Sequence, residues 1–470
     1  MLAGLWLTAT DAHAIELPFL ATGTDDDGVA RATARQNLDV PLAPALRGCR
    51  LTGVRLRGLH RTHDHVVLRE LVVHVGAPLE QPALRESVRR LRNLGVFRRV
   101  DAEVAAAAAP ADAVPLPAGA THCGLTLRFD EKWTLLPIIS AGRGGAVNFL
   151  TLGVQDIHLL GRLLSLEAFW QNFGGVNSAG LVFADPRLLD RRIHVGLTAA
   201  LLRRNRARFD PDAPGAPAAE AALAPYSRHR WQFGVEAADL RRPERIWRAS
   251  LWWLDDRFDT SILEPADAVR AQAQGVPARR RWLMLGLGGR LGRIDFDDYL
   301  ERGATLELAM LAGLAPGEVA PAGRGFVRAA LTGKLALLPH RRFNVVARLS
   351  LRAIDHVVEE IGVYVGGLDG VRGLPDSRYL GRVAAIANLE LRSALLHGRW
   401  LALQNAVFVD VGHAATEVSA LFRPVVPVSA GTGFRLIIPT IARFVARADV
   451  AWASTERGGW LLSFGAQQAF

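Results

Sequence analysis

From about residue 133 to the end of the chain, apolar and polar residues alternate over segments of strand length. Residues 343–352 are the clearest segment, in which Phe343 and every second residue after it are apolar, whereas Arg348 and Arg352 belong to the opposite set. Strict alternation places the two sets on opposite faces of a β-strand. We therefore expect a large antiparallel β-structure over residues 132–470.

The spacing of these segments separates a membrane barrel from a soluble sandwich. Strands of about ten residues joined alternately by short turns and long loops are typical of outer-membrane barrels. The predicted short turns lie at residues 185–187, 242–244, 338–340 and 397–399, and the predicted long loops at 204–227, 257–279 and 355–381. Tryptophans near the predicted strand ends fit interfacial belts: Trp133, Trp231, Trp247, Trp282, Trp400 and Trp460. We count sixteen strands.

The segment from residue 48 to 131 has a different pattern. A strand at Leu51–Leu56 is followed by a helix starting near Val66 and a second helix from Pro82 to Asn93, in which Leu84, Val88 and Leu91 share one face. Strands at Phe97–Val104 and Gly124–Phe129 complete the order βααββ. This segment is predicted to be a small α+β domain.

Residues 1–14 have the features of a secretory signal peptide, with an apolar run and an Ala12-His13-Ala14 cleavage site. Residues 15–47 lack any sustained period and are expected to form a periplasmic lead-in. Export would place Cys49 and Cys123 in an oxidising compartment, where they form either a disulfide or two buried thiols.

A glycine-rich stretch, Gly366–Pro375, interrupts the alternation and carries one arginine, Arg372. Four glycines and a proline cannot continue a strand, so the stretch is a loop. The two strands after it each present an acid on the predicted inner face, Glu390 and Asp410. We predict that the loop folds back into a barrel and is held there by charge.

This constellation resembles the outer-membrane assembly and translocation superfamily of BamA/TamA-like proteins, which combine POTRA domains with a bacterial surface antigen barrel. Val371-Arg372-Gly373 matches the tip of the sixth extracellular loop of that superfamily, with Leu374 in place of the usual aromatic residue. Phe408-x-Asp410-x-Gly412 matches its strand-thirteen motif. The βααββ segment is similar to a POTRA domain, apart from a long Ala/Pro-rich insertion at residues 105–121.

The resemblance implies a transmembrane barrel of sixteen antiparallel strands with one N-terminal POTRA domain, and it assigns roles to residues. Arg372 is expected to pair with Glu390 and Asp410 in the lumen. The first and last strands would form a weak seam, in which Pro137 lacks a hydrogen-bond donor and the last strand ends at Phe470. Cys49 and Cys123 would begin adjacent parallel strands, within bridging distance.

The strength of the loop contact depends on its solvation. A water-filled lumen would reduce both the burial penalty and the Coulomb attraction of the pair, so that about 1–3 kcal/mol is expected. A contact of that size would bias the loop between inserted and released states.

The net charge of +10 comes almost entirely from dispersed arginines, which favours lipid headgroups or lipopolysaccharide over nucleic acid as the anionic neighbour. His60, His63 and His65 lie close together, but nothing in the pattern supplies a metal site, so a polar loop is favoured. Hydrolase, metalloprotease and P-loop motifs are absent, and no cofactor or enzymatic activity is expected.

The expected location is the bacterial outer membrane, with the POTRA domain in the periplasm. The favoured function is insertion of other outer-membrane proteins, whose strands the free edge of the POTRA sheet and the barrel seam would bind. The expected partners are unfolded outer-membrane or secreted clients, lipids or lipopolysaccharide, and periplasmic proteins. A two-partner secretion channel and a structural or small-solute barrel are the alternatives.

Overall fold

A computed structural model describes the chain except at its termini and at several internal segments. The described residues are 43, 46–92, 94–108, 121–144, 147–209, 222–242, 244–259, 279–297, 300–316, 325–340, 342–356, 361–367, 370–374, 378–398, 401–422, 426–437, 445–455 and 460–466. The predicted signal peptide lies outside these residues, as does nearly all of the predicted lead-in. Within the described part of the chain, no helix combines the length and apolar character needed to span a membrane.

The first described unit has the predicted order of elements. Its elements are β1 (Arg50–Arg57), α1 (Asp64–Leu68), α2 (Gln81–Arg92), β2 (Phe97–Ala106) and β3 (His122–Glu131). The sheet order is β1-β3-β2, with β1 parallel and β2 antiparallel to the central β3. Both helices are close to their predicted positions, and α1 starts at Asp64, two residues before the predicted Val66. We call residues 46–131 the N-terminal unit.

The core of the N-terminal unit follows from the helix periodicity. Leu84, Val88 and Leu91 of α2 are buried and belong to one cluster with Leu125 and Leu127 of β3. Spacings of four and three residues place these leucines and the valine on the helix face that covers the sheet. Among the described residues, β2 is one edge strand of the sheet, and β1 is the other, with its first residues bonded to the segment at residues 76–79.

Cys49 and Cys123 form a disulfide, with their Cα atoms 5.8 Å apart. Cys123 lies opposite Leu51 in the parallel β1–β3 ladder, and Cys49 immediately precedes β1. Both side chains are buried. The disulfide therefore ties the start of the unit to its central strand.

Sixteen further strands form one antiparallel sheet. They are β4 (Leu135–Gly144), β5 (Val147–Leu159), β6 (Leu164–Phe173), β7 (Val176–Asp185), β8 (Ile193–Phe209), β9 (Ala222–Arg242), β10 (Arg245–Asp259), β11 (Arg279–Asp297), β12 (Leu300–Leu314), β13 (Gly325–His340), β14 (Phe343–Ile354), β17 (Val383–His397), β18 (Ala402–Ala415), β19 (Val428–Ile437), β20 (Val445–Ala453) and β21 (Trp460–Ala466). Two short strands, β15 (Val363–Val365) and β16 (Tyr379–Gly381), pair with each other in the connection between β14 and β17. The order of neighbours in the large sheet is circular, so it forms a closed barrel.

Strand β14 has an apolar outer face and a largely polar inner face. Leu349 and Leu351 are exposed on its outside, whereas Asn344, Arg348 and Arg352 are buried on its inside. A soluble sandwich would bury the leucines between its sheets. This strand therefore has the inverse arrangement, which suits a lipid environment.

Several predicted boundaries are wrong. Strand β8 continues to Phe209 and β9 starts at Ala222, so most of the predicted 204–227 loop that the structure describes is strand. Likewise β13 continues through Pro339 to His340. The predicted loop starts at Arg204 because the apolar alternation stops there. Strand β8 nevertheless continues, since the part of a strand beyond the apolar layer does not require apolar side chains. Trp282 faces the interior at 1% exposure and packs edge-to-face on Phe326, so it does not belong to an interfacial belt.

The junction between the last and first barrel strands joins β21 to β4. Phe464 of β21 lies opposite Arg143 of β4, and no other position of this junction pairs among the described residues. By contrast, β20 and β21 pair continuously from Ala446 to Trp452. Pro137 lies in β4 opposite Val154 of β5, and Phe470 lies outside the described residues. We call the β21–β4 junction the seam.

The N-terminal unit contacts the barrel at the turns that join β5 to β6 and β7 to β8. Glu70 is 2% exposed and accepts hydrogen bonds from Arg187 at 2.8 Å and Arg192 at 3.3 Å. Burial would raise the pKa of Glu70, but the charges of both arginines and the hydrogen bond from Arg187 outweigh it and lower the pKa. The backbone N–H of His63 also donates to the carbonyl of Gly161. The end of the barrel that carries these turns is called the near end below.

Candidate functional site

The connection between β14 and β17 lies inside the barrel. Its described residues 361–367 and 370–374 are all buried. The β15–β16 hairpin orders the base of this connection, and we call residues 361–382 the inserted loop. Gly373 has a φ of +88°, a conformation that non-glycine residues rarely adopt. This backbone conformation lies directly beside Arg372 at the loop tip.

The guanidinium of Arg372 contacts both predicted acids. Its Nε and Nη2 donate to the two carboxylate oxygens of Asp410 at 2.7 and 2.8 Å, which is a bidentate arrangement. Its Nη1 donates to Glu390 at 2.6 Å. The backbone N–H of Arg372 also donates to Asp410, at 3.1 Å. The loop tip is therefore fixed in orientation as well as in position.

An aromatic ring completes the arginine site. The guanidinium carbon of Arg372 lies 3.4 Å from the centre of the Phe408 ring, which is 1% exposed. Phe408 is directly opposite Glu390 across the β17–β18 ladder. Gly431, on β19, leaves space for this ring, because a Cβ there would lie 2.5 Å from its Cζ atom. A cation stacked on a ring in a desolvated site gains more than it would at the surface.

The expectation of a wet lumen is wrong at this site. Arg372 is 1% exposed, and Glu390 and Asp410 are fully buried. The loop itself excludes solvent, since Val371 and Leu374 on either side of the tip belong to an apolar cluster with side chains of the barrel wall. That cluster includes Trp252, Leu254, Trp282, Met284, Phe326 and Ile354. Leu374, which replaces the usual aromatic residue, is fully buried.

The ion pair belongs to a wider network that sequence reasoning missed. Glu390 also accepts from Arg392 at 2.7 Å and lies 3.5 Å from Arg435. Arg435 pairs with Asp449. The network comprises the acids Glu301, Glu390, Asp410 and Asp449 and the bases Lys334, Arg372, Arg392 and Arg435. Equal numbers of opposite charges compensate one another, and all members except the partly exposed Lys334 are buried.

An asparagine connects the loop backbone to the network. Nδ2 of Asn388 donates to the carbonyl of Gly370 at 2.8 Å and to Asp410 at 2.9 Å. Its Oδ1 accepts from Arg348 at 3.0 Å. Asn388 is directly opposite Asp410 on the neighbouring strand. Alternation places Asn388 and Arg392 on the same face as Glu390, and this is the signal that could have found them.

The hydrogen bonds and ion pairs of this site hold the inserted loop against the barrel wall. Each of the two acids that accept from Arg372 has a second partner, Asn388 for Asp410 and Arg392 for Glu390, which fixes the loop tip against β17 and β18. Among the described residues, no group of three or more His, Cys, Asp or Glu side chains could hold a metal ion. His63 and His65 contact each other through their rings, with centroids 5.6 Å apart.

Comparison with known proteins supports the fold. No protein-family model and no curated protein sequence matches this chain. Among solved structures, BamA from Haemophilus ducreyi lacking POTRA domains 1–3 matches with a TM-score of 0.59 and 13% identity, covering 89% of this chain and 84% of that one. CdiB from Acinetobacter baumannii matches with a TM-score of 0.59 and 14% identity, covering 89% and 74%. CdiB from Escherichia coli matches with a TM-score of 0.58 and 11% identity, covering 89% and 76%. These matches show that the chain shares the fold of the BamA and CdiB barrels.

Proposed function

We propose that this chain is an outer-membrane member of the assembly and translocation superfamily and that it inserts other outer-membrane β-barrel proteins. Its N-terminal unit acts as a periplasmic POTRA domain, and the barrel spans the membrane. The observation that carries the assembly function is the seam, where β21 meets β4 at one described position. Each other pair of neighbouring barrel strands has at least seven paired positions among the described residues, several of them with one register shift.

The seam gives the chain a place to receive a client strand. An unpaired backbone group in lipid costs several kcal/mol, so strands of a membrane barrel remain paired. Opening the seam breaks the hydrogen bonds between β4 and β21, and an incoming strand replaces them. The barrel edge then templates the client without any covalent chemistry.

The N-terminal unit supplies a second edge. Strand β2 lies at the border of the sheet order β1-β3-β2, and its outer edge pairs with no other strand of the described chain. Exposed backbone N–H and C=O groups bind an extended peptide through main-chain hydrogen bonds, largely independent of sequence. In this proposal β2 holds the client in the periplasm before the seam receives it.

The outer face of the barrel is suited to lipid. Leu285, Leu287, Leu308, Leu349 and Leu389 are each about half exposed on neighbouring strands. An apolar surface of this extent would aggregate in water. The lipid bilayer of the outer membrane is the environment that accommodates it.

A secretion channel is the second candidate. The CdiB barrel from Acinetobacter baumannii matches as well as BamA does, with the same TM-score. In this reading the inserted loop is a plug, and a client passes through the lumen when Arg372 leaves Glu390 and Asp410. A structural or small-solute barrel is the third.

A cysteine lock across the seam separates these candidates. Opposite residues of an antiparallel pair have Cβ atoms about 5 Å apart, so Arg143→Cys with Phe464→Cys would join β4 to β21. Val450→Cys with Leu462→Cys, which lie opposite each other in the β20–β21 ladder, is the matched control. Each variant replaces the native protein in cells, followed by proteomics of the outer-membrane and secreted fractions with and without reductant.

We expect the oxidised seam lock to lower the levels of other outer-membrane barrels, reductant to restore them, and the control to have no effect. Normal outer-membrane protein levels with the seam locked would contradict the assembly function. Loss of a secreted protein upon depletion of the native protein, with no change when the seam is locked, would favour secretion through the lumen.

A further inference from the structure

The outer surface of β8–β11 carries a row of basic side chains at the end opposite the N-terminal unit. Arg203 lies opposite His229, His229 opposite Arg257, and Arg257 opposite Arg279, so one side chain from each strand lies at the same level. Arg203, Arg257 and Arg279 are exposed and His229 is half-buried. All four point outward, because the neighbouring positions of these strands alternate between buried and exposed.

A second arginine reinforces this row. Asp255, which lies outward and is 4% exposed, accepts from Arg279 at 2.8 and 2.5 Å and lies 3.8 Å from Arg281. The side chains of Arg279 and Arg281 remain 41% and 52% exposed. Asp255 therefore holds two guanidinium groups in place while leaving much of their surface open.

The row carries a net positive charge. It contains Arg203, Arg257, Arg279 and Arg281, against the carboxylates of Asp255 and Asp259 on the same face. Four positive charges minus two negative charges leave two. Among the described residues, neither Arg203 nor Arg257 is in an ion pair, so these two are available to an anion.

An apolar groove begins directly beside the row. It crosses the outer faces of β6–β11, and its lining includes Leu181, Leu197, Ala199, Phe233, Trp253 and Leu283. Phe233 and Trp253 contact each other, with ring centroids 5.6 Å apart. Leu283 is two residues from Arg281 along β11, which is about 7 Å at the rise of a strand.

We propose that the row and the groove together bind one phosphorylated glycolipid of the outer leaflet, with its phosphates on the arginines and its acyl chains in the groove. Guanidinium groups suit phosphate because their N–H groups match its oxygens. Aromatic residues between the charged row and the aliphatic surface lie where a bilayer changes from headgroup to hydrocarbon. A soluble anion would use the row alone and would leave the groove unexplained.

The proposal rests on the outer-membrane location, since the end far from a periplasmic N-terminal unit faces the outer leaflet. The test therefore measures location separately, by membrane fractionation of every variant and by heat-modifiable mobility of the folded barrel. A protein absent from the outer membrane would reject the location, whereas a correctly located protein that does not bind the lipid would reject only the site.

The binding experiment uses the purified full chain in detergent, titrated with bisphosphorylated lipid A and analysed by native mass spectrometry. The test variant carries Arg203→Gln and Arg257→Gln. The matched control carries Arg242→Gln and Arg245→Gln, which removes two exposed arginines at the near ends of β9 and β10. A second test variant, Leu197→Asn with Leu283→Asn, alters the groove and leaves all arginines in place.

We expect bound lipid A in the wild type and about a 25-fold weaker apparent Kd in the arginine variant, at about fivefold for each basic residue near a lipid headgroup. The groove variant should also bind more weakly, and the control should stay within about twofold of the wild type. Equal weakening in the control would show a general charge effect and overturn the proposal. Equal binding of dephosphorylated lipid A would overturn the proposal as well. Displacement of lipid A by millimolar inorganic phosphate, together with unchanged lipid A binding by the groove variant, would also overturn it.

Discussion

Replacement of Arg372 by alanine should release the inserted loop while leaving the barrel folded. The substitution removes the guanidinium from two fully buried carboxylates, Asp410 and Glu390. Removing one partner of a buried ion pair costs about 3–5 kcal/mol, because the other charge stays buried without compensation. Glu390 retains Arg392 at 2.7 Å, and Asp410 retains the amide of Asn388 at 2.9 Å, so the lower end of this range applies.

A loss of about 3 kcal/mol corresponds to a roughly 150-fold increase in the population of the released loop. Native-state hydrogen exchange measures this population, because exchange requires local opening. The informative amides are those of Gly367 and Leu374, whose N–H groups bond within the inserted loop. Their protection should fall by about two orders of magnitude in the Arg372→Ala variant.

The control is Arg230→Ala, which breaks another fully buried bidentate pair, with Asp256 at 2.7 and 2.8 Å, across β9 and β10. We expect it to leave the protection of Gly367 and Leu374 unchanged. A fall of fivefold or less in Arg372→Ala would correspond to the 1 kcal/mol of an exposed pair. That result would refute the conclusion that the loop tip lies in a dry site.

Three further predictions concern other parts of the chain. Gly431→Ala should weaken the stacking of Phe408 on Arg372, because the new Cβ would lie 2.5 Å from the Phe408 ring and 2.3 Å from the backbone carbonyl of Val450 and would force the ring to move. Hydrogen exchange of the inserted loop should then be faster, and unchanged exchange would contradict this prediction. The contact of the N-terminal unit with the barrel should weaken as the pH falls below about 4.5, because the pKa of Glu70 is lowered in the folded protein and protonation of its carboxylate removes the ion pair with Arg187. Crosslinking between the unit and the barrel as a function of pH measures this effect. The Glu70→Gln variant should show no such pH dependence. Replacing Cys49 and Cys123 with serine should destabilise the N-terminal unit by about 4 kcal/mol, the chain-entropy value for a loop of this length. Urea unfolding of the full chain, followed by hydrogen exchange in β1 and β3, measures this free energy. Non-reducing mass spectrometry should show the native chain to be two hydrogens lighter than the reduced chain.

Periodicity was sufficient to predict the strands because the side chains of a barrel strand alternate between the exposed outer face and the buried inner face. The same alternation does not reveal where a strand leaves the apolar layer, and for this reason β8 was expected to end before Arg204. This error concerns height along a strand, which a pattern of period two does not encode. The error at Trp282 concerns the face of the strand, because Trp282 alternates with the exposed Arg281 and Leu283 and therefore points inward.

The contact of Arg372 with Glu390 and Asp410 was predicted because short motifs contain Arg372 and Asp410, whereas the wider charge network around it was not predicted. Asp449 and Arg435 lie on strands that follow the motif and have no local signal beyond their inward position. The dry environment of Arg372 depends on how deeply the loop fills the barrel, which is a property of the whole cross-section. Glu70 and Arg187 are 117 positions apart, and nothing in either segment indicates that they meet.

The attachment of the N-terminal unit makes the two sides of the seam mechanically unequal. Arg61 donates to Thr134, immediately before β4, and Glu70 is bound to the turn after β7, so the first strands of the barrel and the unit move as one body. Among the described residues, β21 pairs with β20 and β4. If the wall separates between β21 and β4, the displacement falls on the C-terminal side, and β4 stays aligned with the sheet of the N-terminal unit.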